Sequence, residues 1–220
     1  MNARYELSWT WNSAAAGCHA ALEEIGADYD LRFIDLSKPL PDDYLALNPH
    51  GKIPVLIDRR HAGRSTPLAI YQSAAILLYL ADAHPETGLV PAPGTPERGL
   101  CYQWLFFMAE MLQPSMMMYF YPARFTDIES DDATNACARK GLEWTKTNME
   151  RLDGFVGTKP FMLGEAYSIC DLYLMTMCRW VRTDNDFTPL SRFPNIEALI
   201  ERVHARPAVQ RMAAVHFRDA

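Results

Sequence analysis

Along the first eighty residues the spacing of apolar positions changes several times. "YELSW" (Tyr5–Trp9) reads as a strand, and "YDLRFIDL" from Tyr29 alternates apolar and polar residues as a second strand does. Between them "SAAAGCHAALEEIG" carries apolar residues at helical spacing, with Ser13 as N-cap and Gly26 as stop. "PDDYLALN" predicts a short helix with Asp42 and Asp43 near its positive end. "IPVLID" and "TPLAI" predict two strands joined by the polar, Gly-containing turn "RRHAGRS", and "QSAAILLYLADAHP" predicts a helix that ends before Pro85. The order β-α-β-α-β-β-α implies a mixed sheet with helices on its faces.

From Pro85 to Pro96 the chain reads "PETGLVPAPGTP", a Pro- and Gly-rich linker composition. Beyond it no strand pattern stands out. "ERGLCYQWLFFMAEMLQPSMMMYF", "DDATNACARKGLEWTKTNMERLDGFV", "SICDLYLMTMCRWV" and "PNIEALIERVHARP" all place apolar residues at helical spacing. The expected organisation is an α/β domain over 1–83, a linker over 84–96 and an all-helical domain over 97–220, with no internal repeat linking the halves.

The chain has 220 residues, 49% of them hydrophobic and 22% charged. That length supports a substantial core without covalent staples, and the composition argues against disorder. The net charge of -6 leaves no basic excess to neutralise phosphates, so neither nucleic acid nor an anionic membrane is an expected partner. Cys18, Cys101, Cys137, Cys170 and Cys178 are odd in number, widely spread and without C-x-x-C or zinc spacing, so they read as reduced, mostly buried thiols. The apolar run Ala74 to Ala81 falls far short of a membrane span, and no signal core opens the chain. A cytoplasmic address is the expectation, and no metal site is expected.

Nucleotide, zinc-hydrolase and nucleophile-elbow motifs are absent from the sequence. The six histidines are scattered, and the carboxylate pairs Glu23/Glu24, Asp42/Asp43 and Asp131/Asp132 read as solvated helix faces or ends.

Three stretches carry chemistry. In "NPHGKIPVL", Pro54 has no N–H for a sheet ladder, so it belongs at a strand start or in a tight turn. A cis Ile53–Pro54 bond would turn the N–H and C=O of Ile53 outward, where an extended peptide-like ligand pairs with them; a plain strand-initiating proline is the alternative. In "YQSAAILLYLAD", Gln72 and Ser73 stand where free helix N–H groups gather, suited to a carboxylate and an ammonium-bearing carbon; Ser73 as a simple N-cap is the alternative. In "SICDL", Ser168 and Asp171 have the spacing of a capping box, a structural role in which replacing either by Ala costs about 1 kcal/mol.

In this order and separation the three stretches resemble the cis-proline loop, the Glu/Gln-Ser motif and the N-capping box of the cytosolic glutathione transferase superfamily, over almost the whole chain. The resemblance implies a thioredoxin-like N-terminal domain followed by an all-helical C-terminal domain, with glutathione as cosubstrate and no metal. It implies that Ile53, next to a cis Pro54, pairs with the cysteinyl part of glutathione and that Gln72 and Ser73 bind the γ-glutamyl end. Lys38, His50 and Lys52 are candidates for the glycyl carboxylate. A homodimer is expected on the same ground.

Chemistry on glutathione needs its thiolate, and an ordinary thiol, with a pKa of about 8.5, is mostly protonated at pH 7. In the family the stabilising donor is a Tyr, Ser or Cys between the first strand and first helix, here "SWTWNSAAAGCHAAL". The bacterial beta-class members that the chain resembles place a cysteine about where Ala14 stands. Ser13 is therefore the candidate, assisted by Asn12, with a plain helix cap as its alternative role. Cys18 reads as packing, and Tyr5 stands too early. Trp104, Phe107, Met108, Met111, Met118 and Tyr119 are candidates to line a pocket for a small apolar electrophile, with core packing as the alternative. The expected activity is attack of the glutathione thiolate on that electrophile, by conjugation, dehalogenation, ether cleavage or isomerisation. The alternatives are a noncatalytic ligand- or partner-binding protein and a glutathione-dependent thiol–disulfide oxidoreductase.

Overall fold

The computed structural model describes residues 3–60, 66–183 and 189–217. It resolves into two compact units, Met1–Val90 with Val203–Ala220, and Pro91–Arg202. The first holds a four-stranded sheet of β1 (Tyr5–Trp9), β2 (Tyr29–Phe33), β3 (Val55–Asp58) and β4 (Leu68–Tyr71) in the order β2-β1-β3-β4. Helices α1 (Ala15–Glu24), α2 (Asp42–Leu47) and α3 (Ser73–Ala83) complete the expected β-α-β-α-β-β-α sequence. β1 runs parallel to β2 with Tyr5 opposite Tyr29, and antiparallel to β3 with Leu7 opposite Leu56. β3 and β4 are antiparallel, with Val55 opposite Tyr71. Of the turn expected between these two strands, 61–65 lies outside the described residues.

Local chemistry explains the boundaries. α1 ends through Gly26, whose φ of 62° is open to glycine at little cost, and the Ala27 N–H reaches back to the Leu22 carbonyl at 3.0 Å. Ser13 is not the N-cap that the spacing predicts. A turn closed by Ser13 N–H on the Thr10 carbonyl (3.3 Å) delays the helix, and Ala14 takes the cap position without a side-chain bond. Ser73, for which a simple cap is the alternative role, is the first residue of α3, and Gln72 stands at the cap with φ 78°. The side chains of Glu23 and Glu24 are likewise not merely solvated, since Arg211 and Arg206 pair with them.

The second unit is helical: α4 (Pro96–Phe107), α5 (Gln113–Phe120), α6 (Asp131–Val156) and α7 (Ile169–Thr183). The long helix expected through Phe120 is interrupted by a π-helical turn at Met108–Leu112. Pro114 is the cause, because it lacks the N–H that would bond the Glu110 carbonyl. The loosened turn leaves the Met111 carbonyl to accept from Asn148 Nδ2 at 3.0 Å. α8 (Pro194–His204) and α9 (Pro207–His216) follow. The sequence groups α9 with the helical half, but its apolar face packs on α1, so the first unit takes in the C-terminus. The capping box forms as expected: Asp171 accepts from Ser168 N (2.8 Å), Ser168 Oγ (3.0 Å) and Met162 N (2.7 Å). Burial pushes its carboxyl up to about 6 against these donors. Removing Asp171 strands all three, which costs more than the single cap expected above. No helix among the described residues is long and apolar enough to cross a membrane.

α5 and α6 touch at Gly141, where a Cβ would stand 2.6 Å from Tyr119 N and 2.8 Å from the Ser115 carbonyl oxygen. Both obstacles are backbone, so Gly141→Ala must push the helices apart, and a loss of about 1–3 kcal/mol in urea unfolding is expected. An unchanged midpoint would show that the two helices separate freely.

Candidate active site

The loop before β3 is built on one carbonyl. Lys52 C=O accepts from Tyr44 Oη and from Asn48 Nδ2, both at 2.7 Å. Tyr44 comes from α2 and is fully buried with Ile34 and Val55. Asn48 also accepts the His50 N–H through Oδ1 at 3.2 Å. The turn closes with Gly51 N–H on the Asn48 carbonyl (2.9 Å), and Gly51 has φ 62° while a Cβ there would lie 2.8 Å from Leu40 Cδ1. On the far side of the proline, the buried Ser8 of β1 accepts the Val55 N–H at 2.7 Å and donates to the Val55 carbonyl at 3.2 Å. Between these clamps the Ile53–Pro54 bond is cis. Among the described residues no group pairs with the N–H or C=O of the half-buried Ile53.

The β3–β4 register brings the next residues together. Because Val55 faces Tyr71, Pro54 and Gln72 are the next positions along the two antiparallel strands. Gln72 is exposed and holds a positive φ that a non-glycine residue adopts at a cost of about 1–3 kcal/mol. Ser73 is buried, and its hydroxyl donates to the Ala14 carbonyl at 3.1 Å, tying the start of α3 to the start of α1. Beneath this junction Cys18 Sγ lies 3.7 Å from the Ser73 carbonyl, and burial pushes its thiol far up, so it stays protonated. His50 packs edge-on to Tyr71 with centroids 5.9 Å apart. Lys52 is exposed beside Ile53, whereas exposed Lys38 pairs with Asp35 at 3.1 Å on the loop after β2. Sheet order separates that loop from β4 by two strands.

Ser13 stands between Asn12, whose φ is 52°, and the Ala14 carbonyl that Ser73 engages. Its Oγ accepts from the N–H groups of Thr10 and Ala15, each at 3.4 Å, and donates to no described group. A hydroxyl has two acceptor positions and one proton. With both acceptor positions engaged, donation is what remains to it. That arrangement suits an anion better than a proton.

The candidates from the helical half divide by helix face. Met108 belongs to the fully buried face Cys101, Leu105, Met108, Leu112 and Met116, so core takes it rather than a ligand wall. Trp104 stacks on Phe155 at 4.0 Å with Phe107 at 5.4 Å, and Tyr119 packs on Phe120 at 5.2 Å. Met111 and Met118 line a cavity of about 650 Å³ with Phe125, Trp144 and Arg151.

Tyr44, Asn48 and Ser8 escape the sequence reading although they hold the loop. The Asn-Pro-x-Gly pattern over Asn48 to Gly51 is the cue that would have found Asn48, since it marks a tight turn whose first side chain bonds backbone two residues on. Ser8 carries no local cue, because its partner is 47 residues away.

Comparison with known proteins agrees with this architecture. The N-terminal domain model of glutathione S-transferase matches residues 13–83, and the C-terminal domain model matches residues 116–213. The chain is 32% identical over 190 residues to the disulfide-bond oxidoreductase YfcG of Escherichia coli (strain K12), spanning 85% of this chain and 84% of that protein. It is 28% identical over 208 residues to the glutathione S-transferase GstA of Escherichia coli O157:H7, covering 93% and 95% respectively. A sphingomonad glutathione S-transferase solved with glutathione superposes with a TM-score of 0.79 at 28% identity, over 96% of this chain and 98% of its own. The chain belongs to the glutathione S-transferase family.

The Ser8 clamp is directly testable. Ser8→Ala leaves the buried Val55 N–H without its acceptor, and a loss of about 1–3 kcal/mol is expected from the urea midpoint. A midpoint matching the parent would mean that the Val55 N–H finds another acceptor.

Proposed function

We propose that this protein is a glutathione transferase that binds glutathione along the Ile53 backbone and activates its thiol through Ser13. The observation that carries the reading is the N–H and C=O of Ile53, which have no partner among the described residues and stand two residues before β3, next to Pro54, which faces Gln72. Such a pair recognises the peptide backbone of a ligand as an added strand would. The γ-glutamyl end goes to Gln72, Ser73 and the first N–H groups of α3, where the helix dipole favours its carboxylate. His50 and Lys52 meet the glycyl carboxylate; Lys38, already paired with Asp35, is the weaker candidate. The glutathione seen in the sphingomonad relative supports the same cosubstrate here.

The Ser13 hydroxyl donates to the thiolate with Asn12 beside it. A charge-assisted hydrogen bond contributes about 1.5–3 kcal/mol, which lowers the thiol pKa by about one to two. The anion then attacks a small apolar electrophile, and the working form is a cytoplasmic homodimer.

A second reading has its own support, because YfcG is a disulfide-bond oxidoreductase. Ala14 and the buried Cys18 offer no protein thiol for exchange, so that activity would run on glutathione itself, whose thiolate attacks one sulfur of a disulfide and releases the other as thiolate.

Ser13→Ala is the test. The absorbance of bound glutathione thiolate against pH is expected to shift up by about one to two, with kcat reduced about tenfold or more and affinity for S-methylglutathione retained. Unchanged titration and turnover would remove Ser13 from the mechanism. Turnover of a glutathione mixed disulfide without conjugation of any electrophile would replace the first reading by the second.

A further inference from the structure

The C-terminal helix has no part in the chemistry above, yet its contacts converge on the loop that carries Ser13. α9 buries Ala208, Val209, Met212 and His216 and packs on α1. Two ion pairs fix its position. Arg206 grips Glu24 bidentately, Nε to Oε1 at 2.6 Å and Nη2 to Oε2 at 2.9 Å, and Arg211 Nε meets Glu23 Oε2 at 2.6 Å. Glu23 also accepts from Tyr29, whose hydroxyl lies 2.8 Å from His19 Nε2. The ring of His19 is 5.1 Å from that of His216, which lies 4.8 Å from Trp9 at the end of β1.

His216 is an expensive residue to place there. It is fully buried, and neither ring nitrogen has a described partner, so its position costs desolvation that an apolar side chain would avoid. Burial holds both imidazoles neutral, with His19 lowered to about 4 and His216 to about 3. Its backbone has a specific role. The His216 carbonyl accepts the N–H of Asn12 at 3.4 Å, and Asn12 holds the left-handed φ of 52° that sets the direction in which the chain enters Ser13. A non-glycine residue in that conformation persists where its surroundings hold it. The last turn of α9 supplies part of that hold.

We propose that α9 is the positioning element of the Asn12–Ser13 loop: its docking on Glu23 and Glu24 sets the His216 carbonyl that holds Asn12 and aims the Ser13 hydroxyl. The proposal rests on the reading of Ser13 given above. Arg206 and Arg211 are positioning residues that act through this helix and touch no substrate.

The test uses the whole protein with Arg206→Ala/Arg211→Ala and, separately, Met212→Ala, which weakens the same docking through packing. Amide exchange at α9 and Asn12 should quicken in both. The pKa of the bound glutathione thiol should rise by up to about one and kcat fall about tenfold, while affinity for S-methylglutathione stays within about twofold. Parental thiol pKa and kcat despite faster exchange at α9 would overturn the proposal. So would Asn12 exchange that matches the parent in both variants. If the parent protein itself fails to lower the thiol pKa, it is the Ser13 reading that fails, and Asn12 exchange still reports whether α9 holds the loop.

Discussion

Two hydrogen bonds onto the carbonyl of Lys52 are the constraint from which the candidate site follows. Tyr44 and Asn48 donate them, and Ser8 grips Val55 from the neighbouring strand, so the two residues between, Ile53 and Pro54, are held at both ends. Buried backbone groups are nearly always paired, whereas the half-buried Ile53 has no partner for either of its groups among the described residues. The anchors are themselves packed: Tyr44 sits in the small core with Ile34 and Val55, and Asn48 uses both ends of its amide. The β3–β4 register then aligns Gln72 with Pro54, and the Ser73 hydroxyl ties α3 to α1 beside Ser13. One end of the sheet thereby gathers a backbone pair, a helix N-terminus and a hydroxyl.

What that end of the sheet can do follows from which groups are left unused. Ser13 receives two N–H bonds and keeps its proton for an acceptor. The nearby protein thiol, Cys18, is buried and held protonated, so under the proposed function the reacting thiolate is that of the ligand. The strained backbone at Asn12 and Gln72 flanks the same junction, one residue before Ser13 and one before Ser73. Strain of about 1–3 kcal/mol at each position is tolerated where the surrounding contacts fix the chain, and here those contacts come from α9 and from β3.

Much of this was legible in the chain. Alternation in "YDLRFIDL", helical spacing in "SAAAGCHAALEEIG" and the position of Pro54 gave the α/β order, the sheet type and the loop, because these features depend on neighbours in sequence. The Ser168–Asp171 box was readable for the same reason. Contacts between distant residues were not. Ser73 reads locally as a cap, but its hydroxyl goes to Ala14, 59 residues away. Glu23 and Glu24 read as a solvated face until Arg211 and Arg206 arrive from the end of the chain. Met108 and Met111 are equivalent in composition, and only the helix phase around the Pro114 π turn separates core from cavity wall. The positive φ values of Asn12 and Gln72 carry no glycine to mark them.

Under the proposed function, the Ile53 N–H and C=O, which have no partner among the described residues, pair with the backbone of a peptide ligand. Amide resonances of the isotope-labelled protein, recorded with and without glutathione, test it most directly. Glutathione is predicted to slow hydrogen exchange at Ile53 N–H and to shift its resonance, with Leu56 N–H, inside the sheet, little changed. Glutathione binding that leaves Ile53 N–H exchanging as before would rule that pairing out.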